Sequence, residues 1–241
     1  MRCFDYSYLF PNSYSCFPSS HSAYKNYFKF GLAVTFKGEL DQENTRKGIV
    51  HQAETITLGN ALKPDFLFAW QNPREKMTKF TDSTGKTIDV PAHLPKFKDM
   101  DTILTLAKEN NLKIRGHVLT WHSQTPHWFF TEGYSSSKDA PYVDKETMTA
   151  RQEWYIKEVL EHCTTGKYEG MFYGFDVVNE AISDATGSYR TDEEAGGSLN
   201  DDTHGSKSSW WKVYQSNQYI INAFTYARKY APKGCKLFIN E

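Results

Sequence analysis

The sequence predicts an α/β protein built on parallel strands, and three observations support this fold class. Runs with the composition of strands alternate along the chain with runs of helical periodicity. Strands that are separated by helices usually pair in parallel, through right-handed crossovers. Polar residues also recur where the predicted strands end, which is where parallel α/β proteins place their functional groups.

Five segments have the composition of buried strands. Each is rich in β-branched, aromatic or other apolar residues, as expected for a strand that is covered on both faces. The predicted strands are residues 28–36, 53–58, 111–121, 172–178 and 235–240.

Helical periodicity fills the intervals between these strands. Met100, Ile103, Leu104 and Ala107 share one face of a predicted helix, and Asp144 is placed to cap the N-terminus of the next. The predicted helices are residues 41–53, 96–111, 144–163 and 217–231.

Two long connections interrupt the alternation. Residues 71–96 are polar and contain the turn sequence DSTGKT, and residues 183–209 are rich in Gly, Ser and Asp. We expect both to be solvated, mobile loops. The second follows the carboxyl end of a strand, so it could also wall a cleft.

An open doubly wound sheet and a closed (β/α)8 barrel both fit this order of elements. Two observations favour the barrel. No glycine-rich phosphate loop follows the first strand, and polar side chains recur at the ends of several strands. The prediction is therefore the TIM-barrel fold, here an incomplete barrel of about the first five strands. Such a sheet would have two unpaired edges, and we expect the lone chain to be poorly soluble or inactive.

Composition excludes several classes of protein. The 241 residues suffice for one large domain, and 28 basic against 29 acidic residues argue against nucleic-acid binding or a polybasic membrane patch. No apolar run approaches the roughly 20 residues that span a bilayer. Cys3, Cys16, Cys163 and Cys235 show no metal-binding spacing, so no metal site is predicted.

The first 22 residues are predicted to be an irregular N-terminal extension, and residues 23–241 the partial barrel domain. Asp5, Pro11 and Asn12 interrupt any apolar segment near the N-terminus, so no clear signal peptide is evident.

Polar side chains follow three of the predicted strands. Asn179 and Glu180 end the apolar run FYGFDVV, which places a carboxylate at the mouth of a barrel. His117, Trp121 and Gln124 follow one another as the third strand ends. An imidazole, an indole and an amide make a poor metal site but a good sugar site, because the ring stacks on C–H faces while polar groups bind hydroxyls.

Some of these residues indicate little when taken alone. His117 and the neighbouring His122 would more often be structural histidines. Asn60 and Lys63, after the second strand, would more often be a turn residue and a solvated charge. Together, however, the strand ends form a recognisable pattern.

The segments RGHVLTWHSQTPHWF and DVVNEA resemble the signatures of glycoside hydrolase family 10, the (β/α)8 endo-β-1,4-xylanases. YKNYFKFGLAV is similar to the family's first strand, and TLGNALKP to its second-strand motif. The resemblance covers about residues 23–241, and its third- and fourth-strand motifs are highly specific.

The resemblance implies a retaining hydrolase that cleaves internal β-1,4 linkages of xylan. Glu180 would be its general acid/base, and Asn179 would bind the 2-hydroxyl of the sugar being cleaved. Positions around the reacting sugar fall on His117, Trp121 and Gln124. Positions that bind the next sugar towards the non-reducing end fall on Asn60 and Lys63. A second carboxylate, about 5–5.5 Å from the first, would be the nucleophile, and no metal or organic cofactor is implied.

The sequence departs from the family pattern in three places. Gly59 stands in place of a Glu in the second-strand motif, and Glu241 stands where an Asp is usual. No residue matches the nucleophile, which the family has on its seventh strand. We therefore expect activity only if a further chain segment or a second polypeptide completes the barrel. The resemblance favours secretion, but without a clear signal peptide a cytoplasmic location stays open.

Three alternatives stay open at this point. A related barrel enzyme acting on β-1,4-glucan could share the Asn179–Glu180 pair, although the run from His117 to Gln124 argues against it. A non-catalytic xylan-binding or degenerate fragment could keep the polar rim and lack turnover. The chain could also be a gene fragment that does not fold.

Overall fold

The computed structural model of the protein describes residues 18–35, 37–68, 76–195, 199 and 206–241. Strands and helices alternate through most of this length. The strands are β1 Gly31–Val34, β2 Thr55–Leu58, β3 Met77–Thr81, β4 Thr87–Pro91, β5 Lys113–Trp121, β6 Phe172–Asn179 and β7 Lys236–Asn240. The helices are α1 Ser20–Tyr24, α2 Lys37–Asp41, α3 Glu43–Gln52, α4 Pro64–Leu67, α5 Phe97–Glu109, α6 Lys145–Thr164, α7 Ser209–Tyr214 and α8 Gln218–Tyr230.

Five of the strands form one parallel sheet in the order β1-β2-β5-β6-β7. Each predicted strand overlaps one of these five, and the four predicted helices correspond to α3, α5, α6 and α8. The strands follow one another across the sheet in chain order, as in a barrel wall. The predicted parallel α/β architecture is confirmed.

Within the described part of the chain the sheet does not close. β1 and β7 each pair with one neighbour, so both lie at edges. An open cavity of about 510 Å³ borders the inner face of the sheet, and its lining includes Ala33, Thr57, Arg115 and His117. Five strands are too few to enclose a barrel, which explains why this face is open.

The helices cover the opposite face of the sheet. α8 packs on α6, β6 and β7, and the face that α5 buries consists of the predicted Met100, Ile103, Leu104 and Ala107. Asp144 caps α6 as predicted, because its carboxylate accepts a hydrogen bond from the Thr147 amide at 2.6 Å. None of the described helices is long and apolar enough to cross a bilayer.

Part of the first long connection is ordered rather than a mobile loop. β3 and β4 form an antiparallel hairpin around the predicted turn, and Val90 and Ile88 on β4 join the core. The expectation of a solvated loop was wrong for residues 77–91, because the two short strands bury one face against the helices. The prediction for residues 71–75 lies outside the described residues.

The predicted N-terminal boundary at residues 22 and 23 falls inside α1, which Ser19 caps by accepting from the Ser22 amide at 3.2 Å. Most of the predicted extension, residues 1–17, lies outside the described residues, as do Cys3 and Cys16. Cys163 and Cys235 are buried free thiols.

Candidate active site

The predicted site residues meet at one edge of the sheet, where the carboxyl ends of β2, β5, β6 and β7 lie side by side. Trp121 pairs in register with Asn179, and Asn179 with Asn240. The last residues of three neighbouring strands therefore stand at one level. The predicted residues lie on these strand ends or in the turns that follow them, except His117, which lies in the middle of β5.

Glu180 leaves β6 with its carboxylate turned towards Trp121. The indole Nε1 donates a hydrogen bond to Oε2 of Glu180 at 2.9 Å, and the Glu180 amide donates to the carbonyl of Asn240 at 2.8 Å. The main chain at Glu180 has φ 50°, a left-handed conformation in which non-glycine residues are uncommon. The turn directs the side chain out of the strand and across the rim.

Asn179 is almost fully buried beside this carboxylate. Its amide accepts a hydrogen bond from Nδ2 of Asn240 at 2.7 Å. In the opposite orientation of this amide, the Asn179 oxygen instead accepts from the Trp121 indole nitrogen at 3.0 Å. In that orientation Asn179 and Glu180 share one indole donor.

Lys63 lies over the face of the Trp121 indole, with Nζ 4.8 Å from the ring centroid. Nζ donates to Oδ1 of Asn60 at 2.9 Å and to Oε1 of Gln124 at 2.7 Å. Burial lowers the pKa of Lys63, and the negative charges of Asp65 and Glu180 partly oppose this effect. The structure therefore brings Asn60, Lys63, Gln124 and Trp121 together.

Asp65 was not among the predicted residues, yet it fixes the orientation of Gln124. It is 1% exposed and accepts from Nε2 of Gln124 at 2.9 Å, so that the amide oxygen must face Lys63. Burial raises the pKa of Asp65, against the hydrogen bonds from Gln124 and the Phe66 amide. A carboxylate directly after Lys63-Pro64 in the sequence is the signal that could have identified it.

His117 lies four residues before Trp121 on β5, and the two ring centroids are 6.4 Å apart. Its Nδ1 contacts Oδ2 of Asp176 at 2.9 Å, and the other carboxylate oxygen binds Arg115 through Nε and one terminal nitrogen at 2.9 and 2.6 Å. Asp176 was also missed. A charged residue inside the apolar run FYGFDVV is the sequence signal for it, because a buried charge needs a partner.

Gly59, which replaces a family Glu, packs tightly against the end of β1. A Cβ atom there would lie 3.0 Å from both Cα and Oγ1 of Thr35. Any side chain at position 59 would therefore require Thr35 to shift. The departure from the family pattern is accommodated by close packing of the two strand ends.

The second long connection begins as a folded hairpin. Ile182 pairs with Tyr189, and the amide of Arg190 donates to the carbonyl of Ala181 at 2.7 Å. Arg190 and Glu194 are both buried. Residues 183–195 therefore wall the rim beside Glu180, whereas residues 196–198 and 200–205 lie outside the described part.

Three other carboxylates at this rim are each held by at least two donors. Asp65 binds an amide side chain and a main-chain amide, and Asp176 binds a guanidinium and an imidazole. Glu241 accepts from the amides of Ala181 and Ile182, both at 3.2 Å. Glu180 is the half-buried carboxylate that faces the indole and the rim. In chemical terms it is the group best placed to exchange a proton with a bound ligand.

No cluster of three or more His, Cys, Asp or Glu side chains suited to a metal ion occurs among the residues whose structure is described. The groups around Trp121 are instead amide, ammonium, imidazole and carboxylate. This combination suits a ligand with many hydroxyls and a flat apolar face.

Comparison with known proteins points to one family. The sequence model of glycosyl hydrolase family 10 matches residues 19–241. The chain is similar to endo-1,4-beta-xylanase Y of Acetivibrio thermocellus, with 34% identity over 90% of this chain and 18% of that protein. It is similar to endo-1,4-beta-xylanase B of Butyrivibrio fibrisolvens, with 33% identity over 91% of this chain and 30% of that protein. The chain thus spans less than a third of the length of either relative.

Solved structures show the same architecture. The N-terminal xylanase 10B modules of Clostridium thermocellum, complexed with xylohexaose, match with a TM-score of 0.70 and 29% identity, over 93% of this chain and 40% of that one. A mutant of the intracellular xylanase TsXylA from Thermoanaerobacterium saccharolyticum, complexed with xylotriose, matches with a TM-score of 0.67 and 27% identity. That match covers 94% of this chain and 57% of the other. These likenesses confirm the predicted TIM-barrel family.

Proposed function

The chain belongs to glycosyl hydrolase family 10, and we propose that it forms the part of an endo-1,4-β-xylanase that contains the general acid/base, Glu180. The observation that supports this role most directly is the contact between the Glu180 carboxylate and the Trp121 indole, 2.9 Å apart. This contact brings a carboxyl group and an indole ring together at one rim, as a proton donor and a sugar-stacking surface would require. The related structures that contain xylohexaose or xylotriose support a xylan chain as the ligand.

In the proposed reaction, Glu180 donates its proton to the bridging oxygen as the glycosidic bond breaks. A second carboxylate attacks the anomeric carbon and forms a covalent intermediate, which water then releases while Glu180 acts as base. The hydrogen bond from Trp121 holds the Glu180 side chain at the rim during both steps. Two carboxyl groups suffice for this chemistry, so we propose no cofactor.

The neighbouring residues are proposed to bind the sugars. Asn179 binds the 2-hydroxyl of the sugar that is cleaved, and His117 and Gln124 surround the same ring. Because His117 is tied to Asp176 and Gln124 to Asp65, both side chains are held in one orientation before a ligand arrives. The pair Asn60 and Lys63 binds the next sugar, and Gly59 leaves that sugar without a carboxylate contact at this position.

The second carboxylate is proposed to come from outside the described sheet. A further segment of the native protein, or a second polypeptide, would pair with β1 and β7 and bring the nucleophile opposite Glu180. The single free side of each edge strand supports this arrangement.

Glu180→Ala in the native protein that contains this chain tests the assignment. We expect xylan turnover to fall by roughly 10²–10⁴-fold, since the departing oxygen then lacks its proton donor. The first step on a 2,4-dinitrophenyl xylobioside, whose leaving group needs no proton, should be largely spared. The measurements are release of reducing sugar from xylan and the burst of dinitrophenolate.

Glu193→Ala is the matched control, because this carboxylate is exposed on the connection that follows Glu180. It should leave both rates unchanged. Unchanged xylan turnover in Glu180→Ala would refute the acid/base role. Carboxymethylcellulose is the second substrate to compare, and faster hydrolysis of it than of xylan would instead indicate a β-1,4-glucanase.

A further inference from the structure

The main chain around Glu180 is held from two sides by charged side chains. Glu180 itself has a φ of 50°, and this left-handed conformation is unfavourable for a residue with a Cβ atom. Such a turn persists where neighbouring groups hold it in place. The groups that do so here are Arg190 and Glu241, whose side chains hydrogen-bond to main-chain atoms of the turn.

Arg190 binds the carbonyl groups of the turn. Its Nε donates to the carbonyl of Glu180 at 3.0 Å, and one terminal nitrogen donates to the carbonyl of Ile182 at 3.1 Å. The other terminal nitrogen donates to the carbonyl of Ser206 at 3.2 Å. The residue is 7% exposed, and among the described residues the carboxylate paired with it is that of Asp184, which is 3.8 Å away and itself fully exposed. The buried guanidinium therefore acts mainly on main-chain carbonyls.

Glu241 binds the amide groups of the same turn. Its two carboxylate oxygens accept from Ala181 and Ile182, each at 3.2 Å. The preceding residue, Asn240, accepts from the Glu180 amide at 2.8 Å. The Arg190 guanidinium thus binds the carbonyls of Glu180 and Ile182, and the Arg190 main-chain amide binds that of Ala181. The amides of residues 180–182 are bound by the Glu241 carboxylate and by the neighbouring strand.

The charges of Arg190 and Glu241 both lie close enough to Tyr219 to change the pKa of its phenol. Burial raises the pKa of the Tyr219 phenol, the charge of Glu241 raises it further, and the charge of Arg190 lowers it. Arg190 and Glu241 therefore act around the same short turn, although 51 positions separate them in the sequence.

We propose that Arg190 and Glu241 are positioning residues which fix residues 180–182, and hence hold the Glu180 carboxylate against the Trp121 indole. This inference rests on the proposed acid/base role of Glu180 and extends it to two residues that do not touch the sugar. It also assigns a role to the hairpin of residues 183–190, which returns the chain so that Arg190 reaches the turn.

The test compares substrates that differ in their need for acid catalysis. In the native protein, Arg190→Met should lower kcat/KM on unactivated xylo-oligosaccharide at least about tenfold more than on 2,4-dinitrophenyl xylobioside. Arg190→Lys, which keeps the charge but not the three-way donor geometry, should recover part of that loss. Glu241→Gln should show the same selective loss as Arg190→Met, and Glu241→Asp a smaller one.

Arg151→Met is the matched control. Arg151 is 4% exposed and also donates to two main-chain carbonyls, those of Phe129 and Thr131, away from the rim. The Arg151→Met variant should lose stability, while the ratio of kcat/KM for the two substrates stays at the wild-type value. The proposal would be overturned if Arg190→Met and Arg151→Met showed the same ratio of kcat/KM for the two substrates. Arg190→Lys and Glu241→Gln provide the same comparison if Arg190→Met does not fold.

The outcome is separable from that of the proposed function. If Glu180→Ala keeps its xylan turnover, the acid/base role itself fails. If Glu180→Ala loses that turnover and the Arg190 and Glu241 variants leave the substrate ratio unchanged, the positioning role alone fails.

Discussion

The orientation of a single amide, that of Gln124, decides whether Lys63 is held over Trp121. Asp65 accepts from the Gln124 nitrogen, and the Gln124 oxygen then accepts from Lys63. The sequence predicted Lys63 and Gln124 but not Asp65: the carboxylate after Lys63-Pro64 is visible in the sequence, but its contact with Gln124, 59 positions away, is not. The contacts of Arg190 and Asp176 were hidden in the same way. Residues that resemble a family motif could be predicted, whereas those that support them could not.

Asp65→Asn should weaken sugar binding without destabilising the protein. The new amide lets Gln124 turn its nitrogen towards Lys63, which loses an acceptor, and we expect KM for xylo-oligosaccharide to rise about three- to tenfold. Burial raises the pKa of Asp65 above its ordinary value of 3.8, so its ionisation costs folding free energy above that pH, and Asn carries no such cost. Steady-state kinetics and a thermal melt at pH 7 measure the two effects.

Asp82→Asn is the control for this substitution, because Asp82 is also buried but accepts from Thr84 and Lys86 in the hairpin turn. That variant should lower the melting temperature with KM unchanged. A stability loss in Asp65→Asn with an unaltered KM would contradict the expectation.

At the scale of elements, the strands and long helices were predictable and the β3–β4 hairpin was not. The five parallel strands have an apolar composition, which a sequence reveals directly. In β3 and β4, apolar Met77, Phe80, Ile88 and Val90 are interspersed with charged and hydroxyl residues, so the segment resembles a polar loop. Its one buried face becomes evident only when α6 is packed against it.

Asp101 on α5 accepts a hydrogen bond from His162 on α6, and we expect this contact to make the stability of the protein depend on pH. Burial alone would raise the pKa of Asp101, but hydrogen bonds from His162 at 2.6 Å and Lys167 at 3.0 Å lower it overall. Because the folded pKa is depressed, the charge stabilises the protein above about pH 4, and this contribution is lost as the pH falls through the folded pKa. Asp101→Asn should therefore cost about 1 kcal/mol at pH 7 and less at pH 3.

Urea denaturation at the two pH values measures this difference. Asp99→Asn, on the same helix with an exposed partner in Lys96, should change stability little at either pH. Equal losses for Asp101→Asn at pH 7 and pH 3 would show that the pair contributes through packing rather than charge.

At the scale of the whole molecule, the helical layer is complete on one side of the sheet while the other side is open. Among the described residues, β1 and β7 each leave one edge without a partner strand, and Ile239 on β7 is 50% exposed. Exposed edges of this kind promote pairing between molecules. The predicted edges of the incomplete barrel were therefore correct for the described sheet.

A polypeptide of residues 1–241 is expected to self-associate through these edges. Sedimentation velocity at increasing concentration should show species larger than the monomer. Ile239→Lys should reduce them, because a charge on an edge strand opposes pairing. Ile221→Lys, at an equally exposed position on α8, is the control and should not. Monomeric behaviour of the unsubstituted polypeptide at all concentrations would contradict this expectation.

The indole of Trp121 serves two neighbours, since its face carries the Lys63 ammonium and its edge donates to Glu180. Substitutions at positions 63 and 180 should accordingly be non-additive even though the two residues follow different strands. A substitution at position 63 would thereby also disturb the contact that holds the Glu180 carboxylate. Tryptophan at this corner meets two structural requirements at once, and an aromatic ring without an N–H group could satisfy only one of them.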